Sequence, residues 1–382
     1  MSEKAKKKKI QWQQSIGTIF MMLIGAVCGI VMVICADRLG ENAPLHQEIL
    51  FVMGLFIGMY VAFFLHILIH EAGHLIFGLL TGYKFSSFRI FSFIWLKENG
   101  KVKFKKLNIP GTAGQCLMIP PDMKDGKFPI VLYNLGGSLI NVIAGAFFFV
   151  GYSICSDSLF ISSLLMIFAV VGFMTAMMNG IPMRMGMVDN DGYNALTLSK
   201  NPEALEAFWF QLKLVEQIST GIRLKDMPSE WFTLPSDKAM KNSMVAIKAV
   251  FVCNRLMDEE RFEDADALME HILSIDSGIT GLHHNLLICD RIFVELITKN
   301  RPEVIEHMLT KELKKLMKAM KRYPSILRTE YALALLFEKN TTKAEAIEND
   351  FEKSAKSYPY PQEVESEKAL IKLVQSKLIT QK

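Results

Sequence analysis

Charge is scarce in this chain, and what there is leans only slightly to one sign. Charged residues make up 21% of 382, and the formal net charge is +4. So small an excess does not supply the broad basic face that grips a phosphate backbone, which excludes nucleic acid as an expected partner. Cysteine is equally thin, with six residues (Cys28, Cys35, Cys116, Cys155, Cys253, Cys289) and no CxxC pair among them. Neither a disulfide framework nor a thiolate zinc site is indicated. Apolar residues, by contrast, are abundant. They reach 51% of the chain, with a mean hydropathy of +0.24, which is too apolar for an ordinary soluble enzyme and points to a membrane protein.

Four apolar runs predict membrane spans at 15–36, 50–82, 129–155 and 159–181. The first follows a basic head, MSEKAKKKKIQWQQ, and superficially resembles a signal peptide. Its apolar body is long enough for ~33 Å of helix against a hydrocarbon core of ~30 Å, and no small-residue cleavage site clearly follows it, so a retained span is expected. The second run would make ~50 Å of helix and must project, tilt or break. Lysines precede the first span (Lys4, Lys6 to Lys9) and crowd the loop after the second, whereas DRLGENAPLHQ between them holds one arginine. By the positive-inside rule both termini are expected in the cytoplasm.

The expected architecture is therefore an α-helical polytopic membrane protein with about four transmembrane helices and a C-terminal all-α soluble domain. The expected divisions are a basic cytoplasmic N-terminus at 1–14, a membrane-embedded core at 15–195 and a cytoplasmic helical domain at 196–382. Within the core, the loop 83–128 contains FRIFSFIW and KVKFKKL on either side of KENG, the pattern of a β-hairpin. Its Phe85, Phe88, Phe91, Phe93 and Trp95 suit a membrane interface, and a solvated hairpin fits nearly as well. The following IPGTAGQCLMIPP reads as a re-entrant or edge-like segment able to offer a strand edge to an extended substrate, or as a plain loop. In the C-terminal region Phe262, Ala265, Leu268, Met269 and Ile272 share one helical face, and NSMVAIKAVFVCNRLM offers a partner face across the joint DEE. With a further helix pair from Pro302 to Asn340, this pattern fits degenerate tetratricopeptide-type (TPR-like) repeats or an irregular bundle.

The chemistry concentrates in HEAGH, residues 70 to 74, inside the second apolar run. A chain of this composition would contain HExxH by chance only ~0.01 times. On a helix His70 and His74 lie one turn apart and about 40° around the axis, so two imidazoles can bind one metal. Glu71 projects close to the same face, where it can hold and deprotonate a metal-bound water. A glutamate and two histidines in an apolar helix are costly and are usually retained for function. His66 falls one turn earlier and is assigned a packing or ligand-orienting role, because a fourth histidine ligand would close the site. The third ligand is sought in MNGIPMRMGMVDNDGYNAL after the fourth span, where Asn179, Pro182, Asp189, Asp191 and Gly192 cluster. Gly and Pro there suggest a broken helix end lining a cavity.

HEAGH in a transmembrane helix, followed much later by Asn179-Gly180-Ile181-Pro182 and then Asp191-Gly192, resembles the site-2 protease family of intramembrane zinc metalloproteases (peptidase family M50-like). The resemblance covers roughly residues 50 to 195. It implies one Zn2+ held by His70, His74 and Asp191, with Glu71 as general base. Spacing departs from the family pattern, with eight residues between Pro182 and Asp191, so Asp189 stands as a rival ligand. GGSLINV offers a further match, its Gly137 and Asn141 falling where the family has GPxxN, with Ser138 in place of the proline. By resemblance Asn141 and Asn179 are candidates for contacting substrate or an oxyanion, while Asn141 could equally tie two helices together.

The expected function is cleavage of a membrane protein or peptide within or beside its membrane segment. The resemblance to bacterial relatives suggests regulator release or pheromone processing at a bacterial cell membrane. Two readings compete. One is a non-catalytic adaptor with a vestigial or structural zinc site, whose helical domain binds a protein partner. The other is a zinc hydrolase acting outside the bilayer, as prenyl-protein proteases with HExxH do, although those usually use a later glutamate ligand.

Overall fold

The computed structural model describes residues 3–40, 43–98, 100–185 and 188–380, with side chains between 15 and 377. The side chains of the basic head 1–14, on which the orientation argument partly rests, lie outside those described. The chain divides into two compact units.

The first unit comprises Lys8–Ile90 and Ala113–Asn201. Four helices in it are long and apolar enough to cross a membrane: α1 (Glu3–Asp37, apolar from Ser15), α2 (Leu45–Leu80), α3 (Val131–Ile154) and α4 (Leu159–Gly180). α2 is one unbroken helix of 36 residues, ~54 Å long, so the break allowed by its length does not occur. It holds no internal proline, and Pro44 stands just ahead of its first turn. Ile24, Cys28 and Met32 of α1 pack with Leu55 and Ala62 of α2 and Ile167 and Val171 of α4 in a closed apolar core. The outward faces are also apolar, with Phe147 and Ile154 each 73% exposed. A surface of that kind suits lipid and not water.

Four strands lie between α2 and α3: β1 (Lys84–Ile90), β2 (Phe93–Glu98), β3 (Lys101–Lys106) and β4 (Gly114–Ile119). β1 and β4 belong to the first unit and pair antiparallel, Phe88 opposite Cys116, with an irregularity between Phe85 and Ser87. β4 is an edge strand, with β1 its neighbour on one side. IPGTAGQCLMIPP is therefore a strand at its centre, and FRI belongs to β1 rather than to the hairpin. After α4 a non-helical stretch leads to α5 (Asp191–Lys200).

The second unit gathers Phe91–Thr112 and Pro202–Lys382. The hairpin thus groups with the C-terminal helices. Ile94 and Leu96 turn inward to 1% and 2% exposure, Gly100 supplies the left-handed turn (φ +78°), and Lys105 Nζ donates to the Tyr358 carbonyl at 3.1 Å.

The helices of this unit are α6 (Pro202–Ser219), α7 (Ser243–Asp258), α8 (Phe262–Ser274), α9 (Gly281–Ile297), α10 (Pro302–Met308), α11 (Lys311–Ala319), α12 (Pro324–Ala332), α13 (Thr341–Ser357) and α14 (Pro361–Thr380). A helical domain is present, but lengths from 7 to 20 residues set no common repeat. Pro302 and Pro324 each start a new helix and Thr310 caps α11 by accepting from Leu313 N at 3.2 Å. The helix pair expected from 302 to 340 is accordingly three short helices and a π-turn. Arg328, almost fully buried, is held between Asp290 (2.5 Å) and Glu367 (2.8 Å) over the Phe293 ring (4.2 Å).

Candidate metal centre

His70, Glu71 and His74 lie in the C-terminal half of α2, all buried. They face α3 because the two helices cross where both lack side chains. A methyl group on Gly73 would sit 2.3 Å from the Gly136 carbonyl oxygen, and one on Gly137 would strike the His70 ring at 2.4 Å. Only glycine permits this backbone approach.

The third group arrives from the start of α5. Asp191 Oδ2 lies 2.9 Å from His70 Nε2 and 3.4 Å from His74 Nε2, and the two imidazole nitrogens are 3.1 Å apart. One tetrahedral ion ~2.0–2.2 Å from each donor would hold its donors about 3.3–3.5 Å apart. The triangle is close to that size, and its three donor atoms converge on one point. His74 Nδ1 donates to the Tyr133 carbonyl at 2.7 Å, since a carbonyl can only accept, so in the neutral ring Nε2 is a bare lone pair aimed at the other donors.

His70 is fixed by a longer relay. The side-chain amide of Asn141, 0% exposed, places its Oδ1 3.1 Å from His66 Nδ1 and its Nδ2 3.5 Å from His70 Nδ1. His66 Nε2 donates to the Phe168 carbonyl at 2.9 Å. As placed, Oδ1 faces His66 Nδ1 and Nδ2 can donate to His70 Nδ1; exchanging the two isosteric amide ends would instead let His70 Nδ1 donate and free its Nε2 for a metal. Each histidine has a partner behind it. The site could hold a metal ion.

No family model, curated protein or solved structure matches this chain. What the centre can do therefore rests on its geometry.

Asp191, not Asp189, is brought to the histidines. Asp189 turns back to Arg184, its Oδ1 accepting from Nε at 3.0 Å. Burial favours a neutral Asp191, but when their Nε2 atoms carry protons His74 and His70 outweigh it through charge and hydrogen bonds and hold the carboxyl below the usual carboxylate range. Asn179 donates to the Thr175 carbonyl of its own helix at 3.1 Å. Asn141 lies behind His70 rather than beside an open position, which gives it an orienting place in this structure.

Three residues that the sequence reading passed over build the site. Asn190 donates to the Met178 (2.8 Å) and Ile181 (2.6 Å) carbonyls, while its Oδ1 accepts from Met183 N (3.0 Å) and Tyr193 N (2.9 Å). It ties the frayed end of α4 to the start of α5 and so fixes Asp191. An asparagine just before an acidic first turn is an N-cap signal, legible in advance. Gly114, the first residue of β4, lies so close to Glu71 that a methyl group there would stand 2.3 Å from Oε1. Arg89 of β1, fully buried, donates to the Gly114 carbonyl at 3.1 Å and braces that contact. Among the described residues the Glu71 carboxylate receives no hydrogen bond, so its oxygens are available to water.

Proposed function

We propose that this protein is an intramembrane zinc metalloprotease of the site-2 protease kind, hydrolysing a peptide bond of a membrane protein or peptide. The observation that carries the proposal is the convergence of His70 Nε2, His74 Nε2 and Asp191 Oδ2 beside an unbonded Glu71, in a helix apolar enough to cross a membrane. Two neutral imidazoles and one carboxylate are the donor set of a catalytic zinc that keeps an open position. Bound there, zinc would supply a Lewis acid that acidifies water and polarises a carbonyl.

The remaining work falls to the chain. Glu71 takes a proton from the attacking water and returns it to the leaving amine, so that one water and one peptide bond become a carboxylate and an amine. Tyr133 and Asn141 keep the two imidazoles in register through the cycle. The edge strand β4 runs past Glu71 with Gly114 nearest it, and an extended substrate could pair with that edge, satisfying its backbone as it unwinds in a water-poor site. A structural site has no use for a general base, so the free carboxylate favours catalysis over the adaptor reading.

The test is reconstitution of the full chain with bound metal measured by mass spectrometry, together with processing of co-expressed candidate precursors. Glu71→Gln is expected to keep its metal and lose cleavage by at least about 100-fold. Unchanged processing in that variant would overturn the proposal.

A further inference from the structure

The β2–β3 hairpin has one buried face and one that is apolar yet open. In its register Phe93 faces Lys106, Trp95 faces Phe104 and Lys97 faces Val102, which puts these six side chains on one face. Phe93, Trp95, Val102 and Phe104 are 44%, 39%, 60% and 55% exposed. The rings associate, Phe104 lying 5.8 Å from Phe93 and 5.5 Å from Trp95, and Lys106 Nζ stands 5.9 Å from the Phe93 centroid. Exposed aromatics edged by lysines are ill suited to water and well suited to the headgroup zone of a bilayer.

Lys106 also lines a cavity of about 390 Å³ in the same unit, floored by the end of β3, the turn after α11 and the end of α13. Lys321 and Arg322 supply two further cations, while the Ser354 and Ser357 hydroxyls in the lining donate to the Arg322 and Ser354 carbonyls. No carboxylate lines it, and among the described residues none of the three cations has a carboxylate partner. The cavity is large enough for a small phosphate-bearing group. Three cations around an acid-free pocket favour phosphate, and an apolar face sharing Lys106 with that pocket favours a phosphate that carries acyl chains.

We propose that the hairpin face and this cavity together bind an anionic phospholipid, its headgroup phosphate among Lys106, Lys321 and Arg322 and its glycerol and upper acyl region against Phe93, Trp95 and Phe104. Charge complementarity selects the occupant, and the same chain carries four helices fit for a bilayer. The proposal does not depend on the proteolytic reading.

The experiment uses the full chain in neutral detergent, with phosphatidylglycerol, phosphatidylcholine or inorganic phosphate added and bound species read by native mass spectrometry. Phosphatidylglycerol is expected to be retained over phosphatidylcholine, and Lys321→Ala/Arg322→Ala to lower that preference by roughly fivefold or more. Lys106→Gln, a milder change at an exposed side chain, should act in the same direction. In vesicles, brominated phosphatidylglycerol should quench the emission that disappears in Trp95→Phe. Equal retention of the two lipids, or an unchanged preference in both variants, would overturn the proposal. So would an unquenched Trp95 in a protein that binds inorganic phosphate, which would indicate a soluble phosphate ligand instead.

Discussion

At the scale of single residues, the centre depends on which atom each side chain turns toward the common point. Asp189 and Asp191 are two positions apart, yet one serves Arg184 and the other serves the histidines. Spacing along the chain does not distinguish them; backbone direction does. Asp191 sits in the first turn of α5, where the helix dipole favours a carboxylate, and Asp189 precedes the cap. Asp191→Asn should therefore lower bound metal by at least about tenfold, and Asp189→Asn should leave it near the starting value, because Asp191 offers a donor to the centre whereas Asp189 turns to Arg184. Metal content after gel filtration reads the difference directly, and equal retention in both variants would place the third ligand elsewhere. HEAGH was legible in the sequence because its ligands are local to one helix turn. Asn141 was legible as a candidate for substrate contact or for tying two helices, but its place behind His70 was not, since its contacts to His66 and His70 span more than seventy positions.

At the scale of elements, long apolar runs gave spans accurate to a few residues, whereas segments decided by tertiary pairing were read less well. α3 and α4 were expected at 129–155 and 159–181 and are found at Val131–Ile154 and Leu159–Gly180. FRIFSFIW was expected as one arm of a hairpin but divides between β1 and β2, with Phe91 in the left-handed region at the break (φ 50°). No local signal marks that division, because both halves are equally apolar and aromatic. The joint between α4 and α5 shows how one capping residue can govern a distant function. Asn190→Ala removes the cap of α5 and strands two carbonyls at the end of α4. The cost expected is about 1–2 kcal/mol for the cap, with more for the buried carbonyls. Because Asp191 is the next residue, metal affinity should fall with the cap. Asn190→Asp, which can still accept from Tyr193 N but cannot donate, should restore the cap and not the tie to α4. Titration with zinc and a chelator would rank the three proteins in the order wild type, Asp, Ala. An alanine variant that binds as tightly as wild type would show that Asp191 is positioned by something other than Asn190.

At the scale of the whole molecule, the two units are stabilised by different means and should respond differently to pH. The first unit relies on apolar packing of α1, α2 and α4, while the second unit buries a set of charged groups around Arg328, Asp258 and Glu363. Glu363 in α14 is the informative member. Burial pushes its carboxyl up to about 7, against the opposing effect of the Tyr358 hydroxyl, which donates to Oε2 at 2.8 Å. A carboxyl whose folded pKa lies above its unfolded value of ~4.3 binds its proton more tightly in the folded state. Its stabilising contribution is then complete below pH ~4.3 and is lost as pH rises toward and through about 7. Glu363→Gln keeps a carbonyl for Tyr358 and removes the titration. In the full chain, hydrogen exchange of α14 amides should become faster relative to the intrinsic rate between pH 5 and pH 8 in wild type, and this change should shrink in the glutamine variant. Protection in the variant at pH 8 should exceed that of wild type, since no charge is buried. Glu367 and Asp258 titrate nearby in opposite directions, which is why the difference between the two proteins, and not either profile alone, isolates Glu363. If the two proteins lose protection in parallel from pH 5 to pH 8, Glu363 is ionised and accommodated in the folded unit, and the pH response belongs to its neighbours.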